Sequence, residues 1–197
     1  MQRRPEKKAP DTVKETLLDI LSLAKTVIVT MVVVFLLTNF VIANAIVPTS
    51  SMEKTIYPGD RIIGARFLKN YERGDIVVFE DPDEGNRYLI KRIIGMPGDH
   101  VQFVRGEDPK KCCLLINGNR LKEDYLREEM YTYSEFDGMD IIIPDNSYFC
   151  MGDNRNNSRD ARYWNDKFIS RDDIIAKALF TYWPINHAAF FIRPNYN

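Results

Sequence analysis

The segment PTSSMEK, residues 48–54, carries a serine and a lysine at a spacing that can do chemistry. Ser51 precedes Lys54 by three positions, which is the S-x-x-K spacing of one class of acyl-transferring serine enzymes. That class also needs a K-T-G motif and a serine two positions before an asparagine, and this sequence has neither. Lys54 also follows Glu53, whose charge favours the protonated amine. We therefore expect Ser51 to be a nucleophile that uses a different lysine as its base.

Lys91 is the lysine whose surroundings favour a neutral amine. A lysine accepts a proton only when uncharged; its free pKa lies near 10.4, and burial lowers it to roughly 7–8. Lys91 lies in RYLIKRIIGMPGD, where a strand would place Leu89 and Ile93 on its own face and Arg92 on the other. The alternative is a lysine at the edge of a sheet whose amine reaches water.

Two further groups bear on the reaction at Ser51. The hydroxyl of Thr49 and the backbone N–H of Ser51 can both point at one oxyanion. The two histidines, His100 and His187, have no sequence context of a Ser-His-Asp triad. Lysine is therefore favoured over histidine as the base.

A dense polar stretch, MGDNRNNSRDAR, lies between two apolar runs at residues 151–162. We expect the Ser158 hydroxyl to hold the neutral lysine amine, while Asp160 and Arg162 fix the loop through charge-assisted hydrogen bonds. Two alternatives stay open: a solvated loop, or an N-x-S glycosylation acceptor that ends at Ser158.

The elements that position these residues begin with an uncharged segment, TVIVTMVVVFLLTNFVIANAIV, residues 26–47. About 20 such residues span a bilayer. A cleavable signal peptide is the rival, since Ala43-Asn44-Ala45 fits an A-x-A site, but its apolar core would exceed the usual length of about 7–15 residues. The sequence predicts a disordered stretch at residues 1–11 and a juxtamembrane and transmembrane helix over residues 12–47.

Residues 48–197 have the pattern of a β-rich domain. Short runs of Ile, Val, Phe and Tyr are separated by Gly, Pro, Asn and Asp. The fold class predicted is mostly β, an antiparallel sheet or partial barrel preceded by a single N-terminal transmembrane helix. A net charge of −1 and the lack of a basic cluster argue against a nucleic-acid partner.

Four segments, in this order after the apolar span, resemble the type I signal peptidases. The resemblance covers residues 15–184. The matching boxes are PTSSM at 48–52 for the nucleophile, RGDIVVF at 73–79, YLIKRIIGMPGD at 88–99 for the lysine, and GDNRNNSRDAR at 152–162.

The resemblance implies a membrane-bound serine endopeptidase with a Ser–Lys dyad, which cleaves signal peptides from secretory preproteins after Ala-x-Ala. Ser51 would be the nucleophile, Lys91 the general base, and Thr49 the oxyanion donor beside the Ser51 N–H. The residues implied behind the dyad are Ser158, which would orient Lys91, then Asp160 and Arg162, with Asp153 and Arg155 as structural neighbours.

The resemblance also implies partners and a topology. The partners would be preproteins and the lipid bilayer, with no metal and no organic cofactor. The N-terminus would be cytoplasmic and the β domain extracytoplasmic. This sequence departs from the family pattern at Thr49-Ser50, commonly Ser-Gly, at Lys54, commonly proline, and at Ala161, commonly serine.

Two rival functions remain at the level of the sequence. One is a membrane-tethered β binding module without catalysis. The other is a self-cleaving regulator, which would need a DNA-binding domain that residues 1–25 are too short to hold. The cysteines, Cys112, Cys113 and Cys150, are expected to be buried free thiols or to form one disulfide that involves Cys150.

Overall fold

The computed structural model describes residues 12–196, so the disorder predicted for residues 1–11 lies outside the described chain. The described chain opens with helix α1, Thr12–Leu36, which a π-helical turn extends over Leu37–Val41. The segment Lys14–Val41 has a peak mean hydropathy of 2.5 and is long and apolar enough to cross a membrane.

Polar side chains within the helix find partners in the helix itself. The hydroxyls of Thr26, Thr30 and Thr38 each donate to the carbonyl four residues earlier, and the Asn39 amide donates to the Phe35 carbonyl. These bonds satisfy polar groups that an apolar medium would otherwise leave unpaired.

The helix ends at Val41, which corrects the predicted end at residue 47. Ile42–Ile46 forms strand β1, which pairs antiparallel with β2, Arg61–Ala65. Lack of charge is shared by membrane helices and buried strands, so hydropathy alone does not place this boundary. Ala43 and Ala45, the A-x-A pair of the cleavable signal peptide alternative, therefore lie in a hydrogen-bonded strand.

Ten further strands follow, with short 3-10 turns at Arg155–Asn157, Arg171–Asp173 and Ile185–His187. The strands are β3 (Ile76–Glu80), β4 (Tyr88–Gly95), β5 (His100–Arg105), β6 (Cys112–Ile116), β7 (Asn119–Arg120), β8 (Asp140–Ile142), β9 (Ser147–Met151), β10 (Ile169–Ser170), β11 (Ile174–Trp183) and β12 (Ala189–Phe190).

Across residues 12–196 the strands form two antiparallel sheets, which confirms the prediction of a mostly β fold. The larger sheet has the order β1-β2-β11-β3-β4-β9-β10, and β12 pairs with β11. The smaller sheet has the order β7-β6-β5-β8. Strand β4 is thus internal to the larger sheet, flanked by β3 and β9.

Two apolar clusters stabilise the β-rich unit. The larger includes Trp164, Phe79 and Ile93, and the smaller includes Met52 and Ile90. Because β4 contributes Ile93 to one cluster and Ile90 to the other, both faces of this strand are buried. Side chains between them are removed from water.

Candidate active site

Ser51 lies in a tight turn that follows β1. The Glu53 N–H donates to the Ser50 carbonyl at 3.0 Å, and the Ile56 N–H donates to the Met52 carbonyl at 2.8 Å. Met52 and Ile56 are both completely buried. These apolar side chains anchor the turn in the smaller core and fix the position of Ser51.

Lys91 meets Ser51 from strand β4. Its Nζ lies 2.7 Å from the Ser51 Oγ. Lys91 is only 3% exposed, so the alternative of a lysine whose amine reaches water is wrong. The two residues selected from the sequence are neighbours in the fold.

The environment of Lys91 favours the neutral amine. Burial lowers the pKa of Lys91 from 10.5 to about 8, although the negative charge of Asp160 opposes the shift. An amine with this pKa supplies a neutral fraction near physiological pH, which a general base needs.

Lys54 lies elsewhere. Its Nζ donates to the carbonyls of Asp124 and Leu126, at 2.8 and 3.0 Å. Its backbone has φ of 84°, a left-handed conformation that is uncommon for a residue other than glycine. The exposed Lys54 amine is thus a tether to the 121–130 segment, and the S-x-x-K interpretation of PTSSMEK is not supported.

The histidines are engaged with aspartates. His187 Nδ1 lies 2.7 Å from an Asp60 carboxylate oxygen, and His100 hydrogen-bonds Asp140. Within residues 12–196 neither histidine contacts Ser51, so the geometry offers no Ser-His-Asp triad.

A groove of about 780 Å³ is lined in part by Thr49 and Ser51. The Thr49 Oγ1 lies 3.3 Å from the Ser51 Oγ. Residues 44–47 line one side of the groove and residues 87–91 line another. The predicted oxyanion donor is therefore exposed beside the predicted nucleophile, where a substrate carbonyl can reach it.

Asp153 is held by a buried bidentate ion pair with Arg92. The Arg92 guanidinium donates to both Asp153 oxygens, at 2.8 and 2.6 Å, and the Thr55 hydroxyl donates to the same carboxylate at 2.5 Å. Asp153 is fully buried. It therefore joins strand β4 to the turn that carries Ser51.

The next residue, Asn154, binds directly to the turn that carries the predicted nucleophile Ser51, here called the nucleophile turn. Its backbone N–H donates to the Ser51 carbonyl at 3.0 Å, and its side-chain amide donates to the Ser50 carbonyl at 3.1 Å. The Asn157 amide donates to the Ser50 hydroxyl at 2.9 Å. These contacts exclude the alternative of a solvated loop for this part of the 151–162 stretch.

Asp160 and Arg162 form a second buried pair. Arg162 donates to both Asp160 oxygens, at 2.8 and 2.9 Å, and the Gly152 N–H donates to Asp160 at 3.0 Å. Burial alone raises the pKa of Asp160, but Arg162 and the Gly152 N–H outweigh it and hold that pKa below its ordinary value. Asp160 is thus an anion, and its bonds to Gly152 and Arg162 hold the two ends of the 152–162 loop together.

Ser158 does not make the predicted hydrogen bond to Lys91. In the described chain its hydroxyl is buried without a hydrogen-bond partner. It packs against Gly152, where an added Cβ would lie 2.3 Å from the Ser158 Oγ and 2.4 Å from the Ser51 carbonyl oxygen. The absence of a side chain at Gly152 lets the 151–162 stretch pack against the nucleophile turn.

Two residues that support the site, Glu123 and Tyr125, were not selected from the sequence. Arg155 makes a two-pronged pair with Glu123, at 2.9 and 2.5 Å. The Arg92 guanidinium lies 4.3 Å from the centre of the Tyr125 ring. The 121–130 segment carries no motif, and the only available signal is that a buried Arg155 needs a carboxylate partner from elsewhere in the chain.

The three cysteines, Cys112, Cys113 and Cys150, are free thiols. Burial raises the pKa of Cys112 to about 11 and that of Cys150 well above its ordinary value, so neither forms a thiolate near neutral pH. Among residues 12–196 no group of three or more His, Cys, Asp or Glu side chains is placed to hold a metal ion.

Sequence comparisons with known proteins identify one family. The sequence matches the family model described as "Signal peptidase, peptidase S26" over residues 20–183. It is 34% identical to a "Probable signal peptidase I-2" of Synechocystis over 84% of this chain and 74% of that protein. It is also 34% identical to a "Signal peptidase I" of Bacillus amyloliquefaciens over 85% of this chain and 90% of that protein.

A crystal structure of a signal peptidase I from Enterococcus faecalis is 29% identical in sequence, with a TM-score of 0.42. The match covers 55% of this chain and 96% of that chain.

Proposed function

The chain belongs to the signal peptidase family, peptidase S26, and we propose that it cleaves signal peptides from secretory preproteins with Ser51 as nucleophile and Lys91 as general base. The observation that carries this assignment is the 2.7 Å separation between the buried Lys91 amine and the Ser51 hydroxyl. A serine within hydrogen-bond distance of a neutral base is what nucleophilic catalysis requires.

Acylation begins when neutral Lys91 accepts the Ser51 proton while the Ser51 Oγ attacks the scissile carbonyl carbon. Negative charge develops on the carbonyl oxygen, and we assign the Ser51 N–H and the Thr49 hydroxyl as its donors. The Lys91 ammonium then gives its proton to the leaving amine. The mature chain departs and the signal peptide remains as an ester on Ser51.

Deacylation repeats the sequence with water. Lys91, neutral again, accepts a proton from a water molecule whose oxygen attacks the ester carbonyl. Collapse of the tetrahedral intermediate breaks the bond to Ser51, returns the proton from Lys91 to the Ser51 Oγ, and releases the signal peptide with a new carboxyl terminus.

The groove suits an extended substrate segment. Strand β9 pairs with β4 only from Arg92 to Gly95, so among the described strands none occupies that edge of Tyr88–Lys91. An unpaired strand edge binds an extended peptide by main-chain hydrogen bonds. Apolar side chains, Ala45 and Ile90 among them, line the groove. Shallow apolar walls fit the small residues of an Ala-x-Ala site.

We propose that α1 anchors the enzyme in a bilayer, with the N-terminus cytoplasmic and the β-rich unit extracytoplasmic. The β-rich unit also has an apolar surface of its own: Ile46, Trp183 and Ile185 are 60%, 51% and 75% exposed. Ile46 and Trp183 both pair with Arg61, so they lie in one row across the sheet. Tryptophan is enriched where proteins meet the membrane interface.

The test uses the purified full chain in detergent and a preprotein with an Ala-x-Ala site. We expect the wild-type enzyme to release one mature chain, whose mass places the cut directly after the second alanine. Ser51→Ala should release none. Cleavage by Ser51→Ala at the wild-type rate would overturn the assignment of the nucleophile and would support the alternative of a membrane-tethered binding module contaminated by another protease.

A further inference from the structure

Residues 193–196, here called the strap, follow β12 and return to the start of β3. Arg193 Nε donates to Asp75 at 2.6 Å, and the same guanidinium pairs with Glu72. Asp75 is buried and also accepts a hydrogen bond from Lys177 at 2.7 Å. A buried carboxylate therefore fixes the beginning of the strap.

The strap lies directly on Gly74. A Cβ added at Gly74 would lie 2.9 Å from the Pro194 ring and 3.1 Å from the Tyr196 ring. The carbonyl of Gly74 accepts a hydrogen bond from Arg92 Nη1 at 2.8 Å. One glycine thus separates the strap from the arginine that holds Asp153.

Tyr196 also reaches the aromatic ring that faces Arg92. The rings of Tyr196 and Tyr125 meet edge to face, with centroids 6.3 Å apart and planes at 89°. The Arg92 guanidinium lies over the Tyr125 ring at 4.3 Å. Arg92 is therefore bounded by the Gly74 carbonyl, the Tyr125 ring and the Asp153 carboxylate, and Tyr196 packs against the Cα side of Gly74 and against the Tyr125 ring.

We propose that the strap is a positioning element for the active site, in which Tyr196, anchored through Arg193, holds Arg92 in register with Asp153. This inference rests on the proposed roles of Ser51 and Lys91. Tyr196 touches no reacting atom and acts only through Arg92.

The path from the strap to the nucleophile has few steps. Arg92 binds Asp153, and the next residue, Asn154, donates its N–H to the Ser51 carbonyl. Loss of the Tyr196 ring leaves a space beside Gly74 and Tyr125 into which Arg92 can move. Because a misplacement of about 1 Å can cost about 10²-fold in rate, a smaller shift of Ser51 should cost about tenfold.

The experiment compares four full-length variants in detergent on one preprotein: Tyr196→Ala, Tyr196→Phe, Arg193→Gln and Ile192→Ala. Ile192 precedes the strap and its side chain is 83% exposed, so Ile192→Ala is the matched control. We expect Tyr196→Ala and Arg193→Gln to lower kcat by about tenfold with little change in KM, because the strap is placed to affect attack rather than substrate binding. Tyr196→Phe and Ile192→Ala should keep wild-type kcat.

A second readout separates positioning from a general loss of fold. A loosened 151–162 stretch admits water to Lys91, so the pH at which kcat/KM reaches half its maximum should rise in Tyr196→Ala and stay fixed in Ile192→Ala. A variant that merely contained less folded enzyme would show a lower rate with an unshifted pH profile.

The outcomes separate this inference from the proposed function. If Ser51→Ala and Lys91→Ala are inactive while folded Tyr196→Ala has wild-type kcat and pH profile, the strap has no positioning role. If Tyr196→Ala does not fold, Arg193→Gln decides, since its side chain is 40% exposed and its wild-type kcat would equally overturn the proposal. If Ser51→Ala or Lys91→Ala stays active, the proposed dyad itself fails.

Discussion

The Lys91 amine lies 2.7 Å from the Ser51 hydroxyl, although 40 residues separate the two in the chain. The lysine comes from a strand with both faces buried, and the serine comes from a turn held by Asn154 and by two buried apolar side chains. Neither segment defines the pair alone. The sheet supplies the low polarity that the proposed base needs, and the 151–162 stretch supplies the position of the proposed nucleophile.

Replacing each lysine near Ser51 distinguishes the two candidate bases. Lys91→Ala should lower kcat/KM on the order of 10⁴-fold, because a nucleophile and its base act as a unit. Lys54→Ala should retain activity within about tenfold, since it loses only surface hydrogen bonds to two carbonyls. Rates of preprotein cleavage for both variants test this, and an inactive Lys54→Ala beside an active Lys91→Ala would restore the S-x-x-K interpretation.

The rate should rise with pH through the pKa of Lys91. Burial sets this pKa to about 8, and only the neutral amine accepts the Ser51 proton. We therefore expect kcat/KM to increase tenfold per pH unit well below about pH 8 and to level off above it. Two substrates with different net charge serve as the control for substrate ionisation. A plateau already reached at pH 6 would contradict the role of Lys91.

The same burial should make Lys91 a source of instability. Its folded pKa lies below the ordinary 10.5, so the unfolded chain binds more protons between about pH 8 and 10.5 and the free energy of unfolding rises with pH there. Below that window the penalty is on the order of 3 kcal/mol. Lys91→Met should therefore unfold at higher denaturant concentration at pH 7, with a smaller gain above pH 10.

Lys54→Met is the matched control for this measurement. Its amine is exposed and tethered to carbonyls, so the substitution should give no gain in stability at any pH. Equal stabilisation by both variants would show that added apolar surface, rather than removal of a buried charge, is the cause.

A methyl group at Gly152 should damage the site. The added Cβ would lie 2.4 Å from the Ser51 carbonyl oxygen, a backbone atom that can yield only by moving the nucleophile turn. Gly152→Ala should lower kcat by about 10²-fold, the cost of a shift near 1 Å. Gly106→Ala is the control, since its nearest neighbour would lie 3.5 Å away. Wild-type kcat in Gly152→Ala would mean that the two loops are not tightly packed.

Thr49 can be tested with a substitution that keeps its shape. Thr49→Val removes the hydroxyl and should lower kcat by about 10²–10³-fold, the usual cost of one oxyanion donor, with KM little changed. Thr49→Ser keeps the hydroxyl and should stay within about tenfold of wild type. Similar rates for the valine and serine variants would remove Thr49 from the oxyanion site.

The sequence was most informative where chemistry restricts residue type. A lysine within an apolar, strand-forming run is explained by burial, and this selected Lys91 over Lys54. A mostly β fold followed from alternating apolar runs and turn residues. These inferences depend on local composition, which the chain carries without reference to its tertiary structure.

What sequence reasoning missed depends on long-range packing. The helix ends at Val41 because β2 offers a partner to residues 42–46, and that pairing has no local signal. Ser158 packs on Gly152 rather than bonding Lys91, a matter of side-chain direction within one loop. The roles of Glu123 and Tyr125 arise only when the 121–130 segment meets Arg155 and Arg92.

The strand order has a consequence for the timing of activity during synthesis. Strand β11 lies between β2 and β3, and its Lys177 meets Asp75 across 102 residues of chain. The ribosome makes both Ser51 and Lys91 long before it makes the strand that joins their two halves of the sheet. A nascent chain therefore holds both reactive groups without their alignment. The alignment of Ser51 with Lys91 waits for β11, which the ribosome makes after both residues.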